Sequence, residues 1–322
     1  MNRNLTVNLG RVTEAAALAS AKFLGKGDKN IADQAAVDGM RRMFDTINID
    51  GTVVIGEGEM DEAPMLYIGE QIGTAKDNAL KVDIAVDPLD GTVSVANGLP
   101  NAISVVAIAP KGCLLHAPDI YMDKIAVGPK AKGFIDINKS VEENINNVAK
   151  ALKKSVDDIT VVVLDRPRHE DLVKRIRSTG ARIKMISDGD VLGAISTCFD
   201  YTGVDILMGI GGAPEGVISA AALKCIGGEL QGKLRPKTGE QMERCRKMGA
   251  DLDRVYYMDD LAKGDEMMFA ATGVSYGELL DGVKYMENNK ASTHTLILRA
   301  ETGTIRFIES IHDLGKKPRY AK

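Results

Sequence analysis

Two aspartates that flank a proline and a leucine mark the stretch of the chain with the clearest chemistry. Val82–Val86 is a largely apolar run that predicts a buried strand, and it leads into Asp87-Pro88-Leu89-Asp90-Gly91-Thr92. Proline suits the second position of a tight turn, so we expect the carboxylates of Asp87 and Asp90 at the two ends of one turn. Two carboxylates at such a short distance repel each other unless a cation lies between them. Carboxylate oxygens are hard ligands, which favour Mg²⁺ or Mn²⁺. The alternative is a solvated surface turn, because Asp-Pro and Asp-Gly are common turn dipeptides.

A second predicted strand also ends in acidic residues. Thr52–Ile55 leads into Gly56-Glu57-Gly58-Glu59-Met60-Asp61, and glycine on both sides of Glu57 is costly unless the backbone needs its freedom. Acids that follow two strands could meet at one sheet edge, where open α/β sheets place their sites. Asp33 lies in the first turn of a predicted helix, where the sequence alone favours a role in stabilising the helix N-terminus.

The second half of the chain contains groups that could bind phosphate. Gly209–Gly216 is glycine-rich and opens a predicted helix, whose free backbone amides can hold a phosphate. It lacks both the dinucleotide-binding spacing and the Lys-Ser/Thr pair of a P-loop, which excludes a Rossmann dehydrogenase. Arg166 and Arg168 are either surface arginines or guanidinium groups that grip a phosphate by paired hydrogen bonds. Asp188 and Asp190 could accept sugar hydroxyls, although Asp190 could equally cap the next helix.

These motifs resemble a known family. The hexapeptide at 87–92 resembles the signature of the metal-dependent, lithium-sensitive sugar phosphatases, which include inositol monophosphatases and fructose-1,6-bisphosphatases. The rest of the chain, to about residue 310, is similar to class II fructose-1,6-bisphosphatases of the bacterial GlpX type. The motifs that carry this narrower resemblance are Gly56-Glu57-Gly58-Glu59, Leu164-Asp165-Arg166-Pro167-Arg168-His169, Ser187-Asp188-Gly189-Asp190 and Gly211-Gly212-Ala213-Pro214-Glu215-Gly216.

The resemblance implies a metal-dependent phosphatase that removes the 1-phosphate of fructose 1,6-bisphosphate in gluconeogenesis. It implies that Thr92 orients the attacking water, with Glu59 or Asp61 as the catalytic group that takes the proton. The expected ligands of two Mn²⁺ or Mg²⁺ ions are Asp33 and Glu57 for one, and Asp87, Asp90 and Glu215 for the other. The expected substrate contacts are Asp90, Gly91, Thr92, Tyr121, Arg166, Pro167, Arg168, Asp188, Gly189, Asp190 and Gly212.

Other activities on the same fold stay open at this point. The pair Arg166 and Arg168 suggests a second phosphate and so disfavours an inositol monophosphate, but it does not distinguish sedoheptulose 1,7-bisphosphate from the fructose substrate. A non-catalytic sugar-phosphate sensor would be favoured by the loss of an acidic ligand, and all the expected acids are present.

The alternation of strands and helices predicts an α/β protein, and the resemblance implies a layered α-β-α-β-α fold with mixed sheets. The polar segment 153–158 suggests a boundary between domains 1–157 and 158–322, with the active site in the cleft between them. The predicted helices are 4–23, 29–47, 61–72, 141–152, 169–178, 191–198 and 215–225. The predicted strands are 52–55, 82–86, 102–109, 133–137, 159–164, 182–186, 204–208, and the hairpin pair 294–299 and 304–308.

The composition of the chain limits the possible binding partners and the expected cellular compartment. A net charge of −4 argues against nucleic acid as the main partner. Four well-separated cysteines predict free thiols, and the absence of a signal-peptide pattern or a long apolar run predicts a cytoplasmic protein with no membrane association. The resemblance adds a homo-oligomer, a dimer or a tetramer.

Overall fold

The computed structural model describes residues 3–58 and 63–317. The α-helices are α1 Arg3–Ser20, α2 Lys29–Phe44, α3 Thr92–Asn97, α4 Val141–Leu152, α5 Glu170–Ser178, α6 Asp190–Ser196, α7 Ala213–Ile226, α8 Gly239–Lys247 and α9 Met258–Leu261. The strands are β1 Ile49–Ile55, β2 Gln71–Ile72, β3 Leu80–Asp90, β4 Ile103–Pro110, β5 Tyr121–Val127, β6 Thr160–Leu164, β7 Arg182–Ile186, β8 Ile206–Gly212, β9 Glu229–Arg235, β10 Met268–Gly273, β11 Lys284–Met286, β12 Lys290–Arg299 and β13 Thr304–Asp313. Helices and two mixed sheets make this an α/β fold, as the sequence predicted.

The chain divides into two compact units. The first unit is Met1–Leu114 together with Gly264–Lys322, and the second is Leu115–Lys263. This division differs from the single boundary expected between residues 157 and 158, which falls inside the second unit. The reason is long-range pairing: β10 lies against β4, so the C-terminal strands complete the sheet that the N-terminal strands begin.

The first unit is built on an eight-stranded sheet. Seven of its strands follow the order β11-β12-β10-β4-β3-β1-β2. The eighth strand, β13, pairs antiparallel with β12 and forms the predicted hairpin, in which Arg299 is opposite Thr304. Helices α1 and α2 pack together, and their apolar side chains form one core with alternate residues of the sheet. Gly39 permits the close approach of the two helices, because a Cβ atom at this position would lie 2.8 Å from the carbonyl oxygen of Ala15.

Parallel pairing of β1 with β3 fixes where the acidic residues lie. Ile55 is opposite Ala85, so the residues after these positions reach the same edge of the sheet, as the sequence predicted. The expected tight turn at Asp87 is replaced by an irregularity within the strand, since pairing of β3 with β4 resumes at Asp90. The chain then turns at Gly91, whose φ of 109° favours glycine, and α3 begins at Thr92.

The second unit is built on a five-stranded sheet of order β7-β6-β8-β5-β9. Strand β6 runs parallel to β7 and β8, while β5 runs antiparallel to β8 and β9. Residues from α4 and α5 form a core with one face of this sheet. The parallel strands β6, β7 and β8 bring the segments that follow them to one end of the sheet, which confirms the alternation seen in the sequence.

The helix predicted over 61–72 is wrong for the described residues 63–72. These residues form an irregular segment that ends in β2, and Leu66 has a φ of 56°. A buried carboxylate organises it: Glu70 accepts hydrogen bonds from the backbone of Leu66 and from Arg41 of α2, at 2.5 and 2.6 Å. Contacts with distant residues therefore replace the helical hydrogen bonds that the sequence suggested.

Two other predicted elements are also corrected. Residues 133–137 form no strand, because side chains of β9 bind their backbone instead: Gln231 accepts from Ile137 at 2.9 Å and donates to Ile135 at 3.0 Å. The glycine-rich stretch 209–212, expected as a loop, is the end of β8, paired with β5. Glycine allows this pairing, since a Cβ atom at Gly211 would lie 2.0 Å from the Asp190 carboxylate.

Two further predictions concern the state of the cysteines and membrane association. All four cysteines are free thiols, as predicted. None of the helices within residues 3–58 and 63–317 combines the length and apolar character that crossing a bilayer requires.

Candidate active site

Asp33 and Glu57 form an acidic pair in the first unit. Asp28 caps α2 by accepting from the backbone of Asn30 and Ile31, so Asp33 does not cap the helix. Burial raises the pKa of Asp33, and burial together with the charge of Asp33 raises the pKa of Glu57 to about 8. The charge of Lys29 opposes the effect of burial at Asp33 only in part. Two half-buried carboxylates that repel each other and have raised pKa values are expected of ligands for a cation.

The predicted corner at residues 87–92 includes the end of β3, the strand that pairs with β1, and Glu57 follows β1. Asp87 follows β3 positions paired with β1, and its Oδ1 accepts from the backbone of Leu89 at 3.0 Å. Asp90 is buried, with 5% of its surface exposed. Thr92 is half-buried as the first residue of α3, directly after the turn at Gly91.

The predicted proton acceptors Glu59 and Asp61 lie outside the described residues. Within residues 3–58 and 63–317, no three or more carboxylate, imidazole or thiol side chains converge as a ready-made metal site. The available donors in the first unit are nevertheless all carboxylate oxygens, the ligand type that Mg²⁺ and Mn²⁺ prefer.

In the second unit, the ends of β6, β7 and β8 bring the two predicted arginines to one place. Arg166 donates to the carbonyl of Ser187 at 2.5 Å and pairs with Asp188 at 3.1 Å, which joins the segments after β6 and β7. Arg168 donates through Nε and Nη2 to the carbonyl of Ile210 in β8, at 2.9 and 2.7 Å. Pro167 lies between them in a 3₁₀ turn, and Gly189 precedes α6 with a φ of 67°.

His169 supports the same junction as a neutral residue. Its Nε2 accepts from the backbone of Ile210 at 2.7 Å, so the proton must be on Nδ1, which donates to the carbonyl of Leu164 at 2.7 Å. Burial lowers the pKa of His169, which favours this neutral form. The histidine therefore ties the end of β6 to β8.

Tyr121, the first residue of β5, lies at this end of the same sheet. Two cations lie over its ring, Arg168 at 4.7 Å and Lys237 at 4.0 Å from the ring centre. Such cation–π contacts hold the three side chains together.

A buried ion pair lies beneath the glycines of β8. Lys124 of β5 contacts Asp190 at 2.6 Å and donates to the carbonyl of Gly212 at 3.0 Å. The side chains of Lys124 and Asp190 are 1% and 6% exposed. Asp190 is the first residue of α6 and uses its carboxylate for this pair, not for capping the helix.

Glu215 lies next to this pair, in the first turn of α7. Its Oε2 atom is buried and has no hydrogen-bond partner among the described residues. Burial raises the pKa of Glu215, partly opposed by the charge of Lys124. A Cβ atom at Gly212 would lie 1.8 Å from Oε2, so the glycine gives this carboxylate its space. A buried carboxylate oxygen without a donor fits a cation ligand.

The sequence reasoning missed Lys124 and Lys237. The sequence contains a signal for Lys124: it lies on the same face of β5 as the buried residues Met122 and Ala126, and a charge is unusual at such a position. The sequence contains no comparable signal for Lys237, because its proximity to Tyr121 depends on how β9 pairs with β5.

Comparison with known proteins agrees with these motifs. A family model described as bacterial fructose-1,6-bisphosphatase, glpX-encoded, matches residues 3–312. The chain is 48% identical, over an alignment of 330 positions, to proteins named fructose-1,6-bisphosphatase 1 class 2 in Escherichia coli (strain K12) and fructose-1,6-bisphosphatase class 2 in Shigella flexneri. The alignments cover 98% of this chain and 97% of each relative. The chain therefore belongs to the glpX-encoded family of bacterial fructose-1,6-bisphosphatases.

Proposed function

We propose that this protein hydrolyses the 1-phosphate of fructose 1,6-bisphosphate, releasing fructose 6-phosphate and inorganic phosphate, with Mn²⁺ or Mg²⁺ as cofactor. The observation that carries the proposal is the 48% identity, over nearly the whole chain, to relatives named class 2 fructose-1,6-bisphosphatase. A role in gluconeogenesis and assembly as a dimer or tetramer are further proposals, which rest on the family resemblance.

The acidic residues of the first unit support the metal dependence. Asp33 and Glu57 are proposed ligands of one cation, because burial raises the pKa of both and the charge of Lys29 opposes this only at Asp33 and only in part. Asp87 and Asp90 are proposed ligands of a second cation, to which the resemblance also assigns Glu215. When bound, the cations would make a water molecule more acidic and stabilise the charge on the phosphate oxygens.

Thr92 is the proposed group that orients the attacking water. Its place at the start of α3, directly after Gly91, fixes its backbone and leaves the residue half-buried. A threonine hydroxyl can accept a hydrogen bond from the water and donate its own to a neighbouring carboxylate. Glu59 or Asp61 is the proposed acceptor of the water proton.

The second unit supplies the proposed contacts to the sugar and to the phosphate that is not removed. Arg168 and Tyr121 are held together at the end of the sheet, and Arg166 is fixed by Asp188. The proposed hydrogen bonds to the sugar come from Asp188, Asp190 and the backbone of Gly189 and Gly212. Since Lys124 already engages Asp190, that carboxylate also has a positioning role.

Phosphate release by metal-stripped protein, with Mn²⁺ or Mg²⁺ added back, tests the proposal. We expect the metal to restore release of one phosphate per molecule of fructose 1,6-bisphosphate. Inositol 1-phosphate and sedoheptulose 1,7-bisphosphate are the comparison substrates. Faster hydrolysis of either would reassign the substrate, and tight binding of all three without turnover would indicate a sugar-phosphate sensor.

A further inference from the structure

Two positive side chains of the second unit lie close to one tyrosine ring, and no carboxylate within residues 3–58 and 63–317 pairs with either of them. Lys237 Nζ and Arg168 Cζ both lie close to the centre of the Tyr121 ring, at 4.0 and 4.7 Å. They are therefore less than about 9 Å apart, a distance at which like charges repel. Neither forms an ion pair with a carboxylate in the part of the chain that the structure describes.

The neighbouring cations differ from these two. Arg166 pairs with Asp188 at 3.1 Å, and Arg235 pairs with Asp123 at 3.3 Å. Among the described residues, carboxylates therefore pair with the cations on either side of Tyr121, but none pairs with Lys237 or Arg168. Two positive charges within about 9 Å of each other favour an external anion.

The backbone of Lys237 is fixed, although its side chain is exposed. Strand β9 ends at Arg235, directly opposite Tyr121. Two residues later, the backbone N–H of Lys237 donates to Gln241 Oε1 at 2.7 Å, and Thr238 caps α8 by accepting from the backbone of Gln241. The strand end and the helix cap together keep the ammonium group near the ring and accessible to a ligand.

We propose that Lys237 is a further substrate-binding residue, which contacts the phosphate that the reaction leaves on the sugar. The ligand class is a phosphomonoester dianion, held by Lys237 as a point charge and by Arg168 as a planar donor. This inference rests on the proposed function and adds a residue that the motifs did not contain. It predicts that Lys237 discriminates a bisphosphate from a monophosphate.

The test compares two substrates that differ only in the phosphate at issue. We expect Lys237→Ala to raise KM for fructose 1,6-bisphosphate about tenfold, the size typical of a lost charge-assisted hydrogen bond, with kcat within about twofold. For fructose 1-phosphate, which lacks the second phosphate, kcat/KM should be unchanged. Lys237→Arg should restore most of the affinity, because it keeps the positive charge.

Lys247→Ala is the matched control, because Lys247 is exposed at the other end of α8 and its loss changes the net charge equally. It should behave like the wild type. An equal loss on both substrates, or no loss in Lys237→Ala, would overturn the inference. Calorimetric titration with fructose 6-phosphate separates this question from the proposed function: the wild type should bind about tenfold more tightly than Lys237→Ala even if no substrate is hydrolysed.

Discussion

Lys124 and Asp190 determine how charge is distributed around the glycines of β8. With 1% and 6% of their side chains exposed, neither can recover its hydration if the other is removed. Lys124 also holds the carbonyl of Gly212, directly before the helix that carries Glu215. A buried ammonium with these partners inside the protein acts as a positioning residue.

We expect Lys124→Met to lower the free energy of unfolding by about 3 kcal/mol or more, because it leaves the Asp190 charge buried and unpaired. Urea unfolding of the purified variant measures the change. Lys130→Met is the matched control, since Lys130 pairs with Asp200 on the surface, and its loss should matter by less than about 0.5 kcal/mol. Similar decreases in the free energy of unfolding in the two variants would show that the buried pair contributes no more to stability than the surface pair.

Thr92 is the single hydroxyl on which the proposed chemistry depends. We expect Thr92→Ala to lower kcat about 100-fold with a much smaller change in KM, because the hydroxyl orients the attacking water and is only one of many expected substrate contacts. Thr92→Ser should keep most of the activity. Steady-state kinetics with fructose 1,6-bisphosphate measures both variants, and a near-wild-type kcat in Thr92→Ala would remove Thr92 from the mechanism.

Between elements, close approaches decide which substitutions are tolerated. Gly39 of α2 lies against the backbone of α1, where added volume meets the Ala15 carbonyl oxygen at 2.8 Å. This contact is part of the packing that places α2, and with it Asp33, against the sheet. The acidic site of the first unit therefore depends on a contact that involves no charge.

We expect Gly39→Ala to destabilise the protein by about 1–3 kcal/mol, although alanine is the better helix former, because the helices must separate to accept the methyl group. Thermal or urea unfolding measures this. Gly239→Ala is the control: among the described residues, no atom beyond its chain neighbours and its own helix backbone lies within 4 Å of the added Cβ, so the change should be neutral or slightly stabilising. Stabilisation by Gly39→Ala would contradict the packing argument.

For the molecule as a whole, the pH dependence of stability should reflect a buried histidine. His312 of β13 is 6% exposed and lies 2.8 Å from the hydroxyl of Thr293, which also contacts Glu14 of α1. Burial, and then the charge of Lys317, lower the pKa of His312 to about 4. Between about pH 6.5 and 4 the unfolded chain therefore binds more protons at this residue than the native protein does.

His312 thus stabilises the native state fully above about pH 6.5 and progressively less as the pH falls to about 4, by as much as about 3 kcal/mol. We expect the unfolding free energy of His312→Gln to depend less on pH than that of the wild type over this range. Burial raises the pKa of Glu14, which has the opposite effect, so the difference between the two proteins is the informative quantity. Parallel pH profiles would contradict the assignment.

Local patterns in the sequence determined much of this protein. Local patterns of apolar and polar residues predicted α4 and β7 with their observed bounds and α5 to within one residue, because these signals act over a few residues. The motifs at 56–59, 87–92 and 211–216 identified the family, since each combines acidic residues with glycines at a fixed spacing. In the third motif, Gly212 makes room for the Glu215 carboxylate.

Only the tertiary structure decided what depends on distant partners. Glu70 and Arg41 make 63–72 irregular, and Gln231 does the same for 133–137. The division into two units followed from β10 pairing with β4, which no local signal encodes. The same holds for charge: the pairing of β5 with β8 and β9 gives Lys124 its buried partners. It also brings Lys237 to Tyr121, where no carboxylate of the described residues pairs with it. A residue's type is local information, but the partner that compensates its charge is set by contacts between segments far apart in the chain.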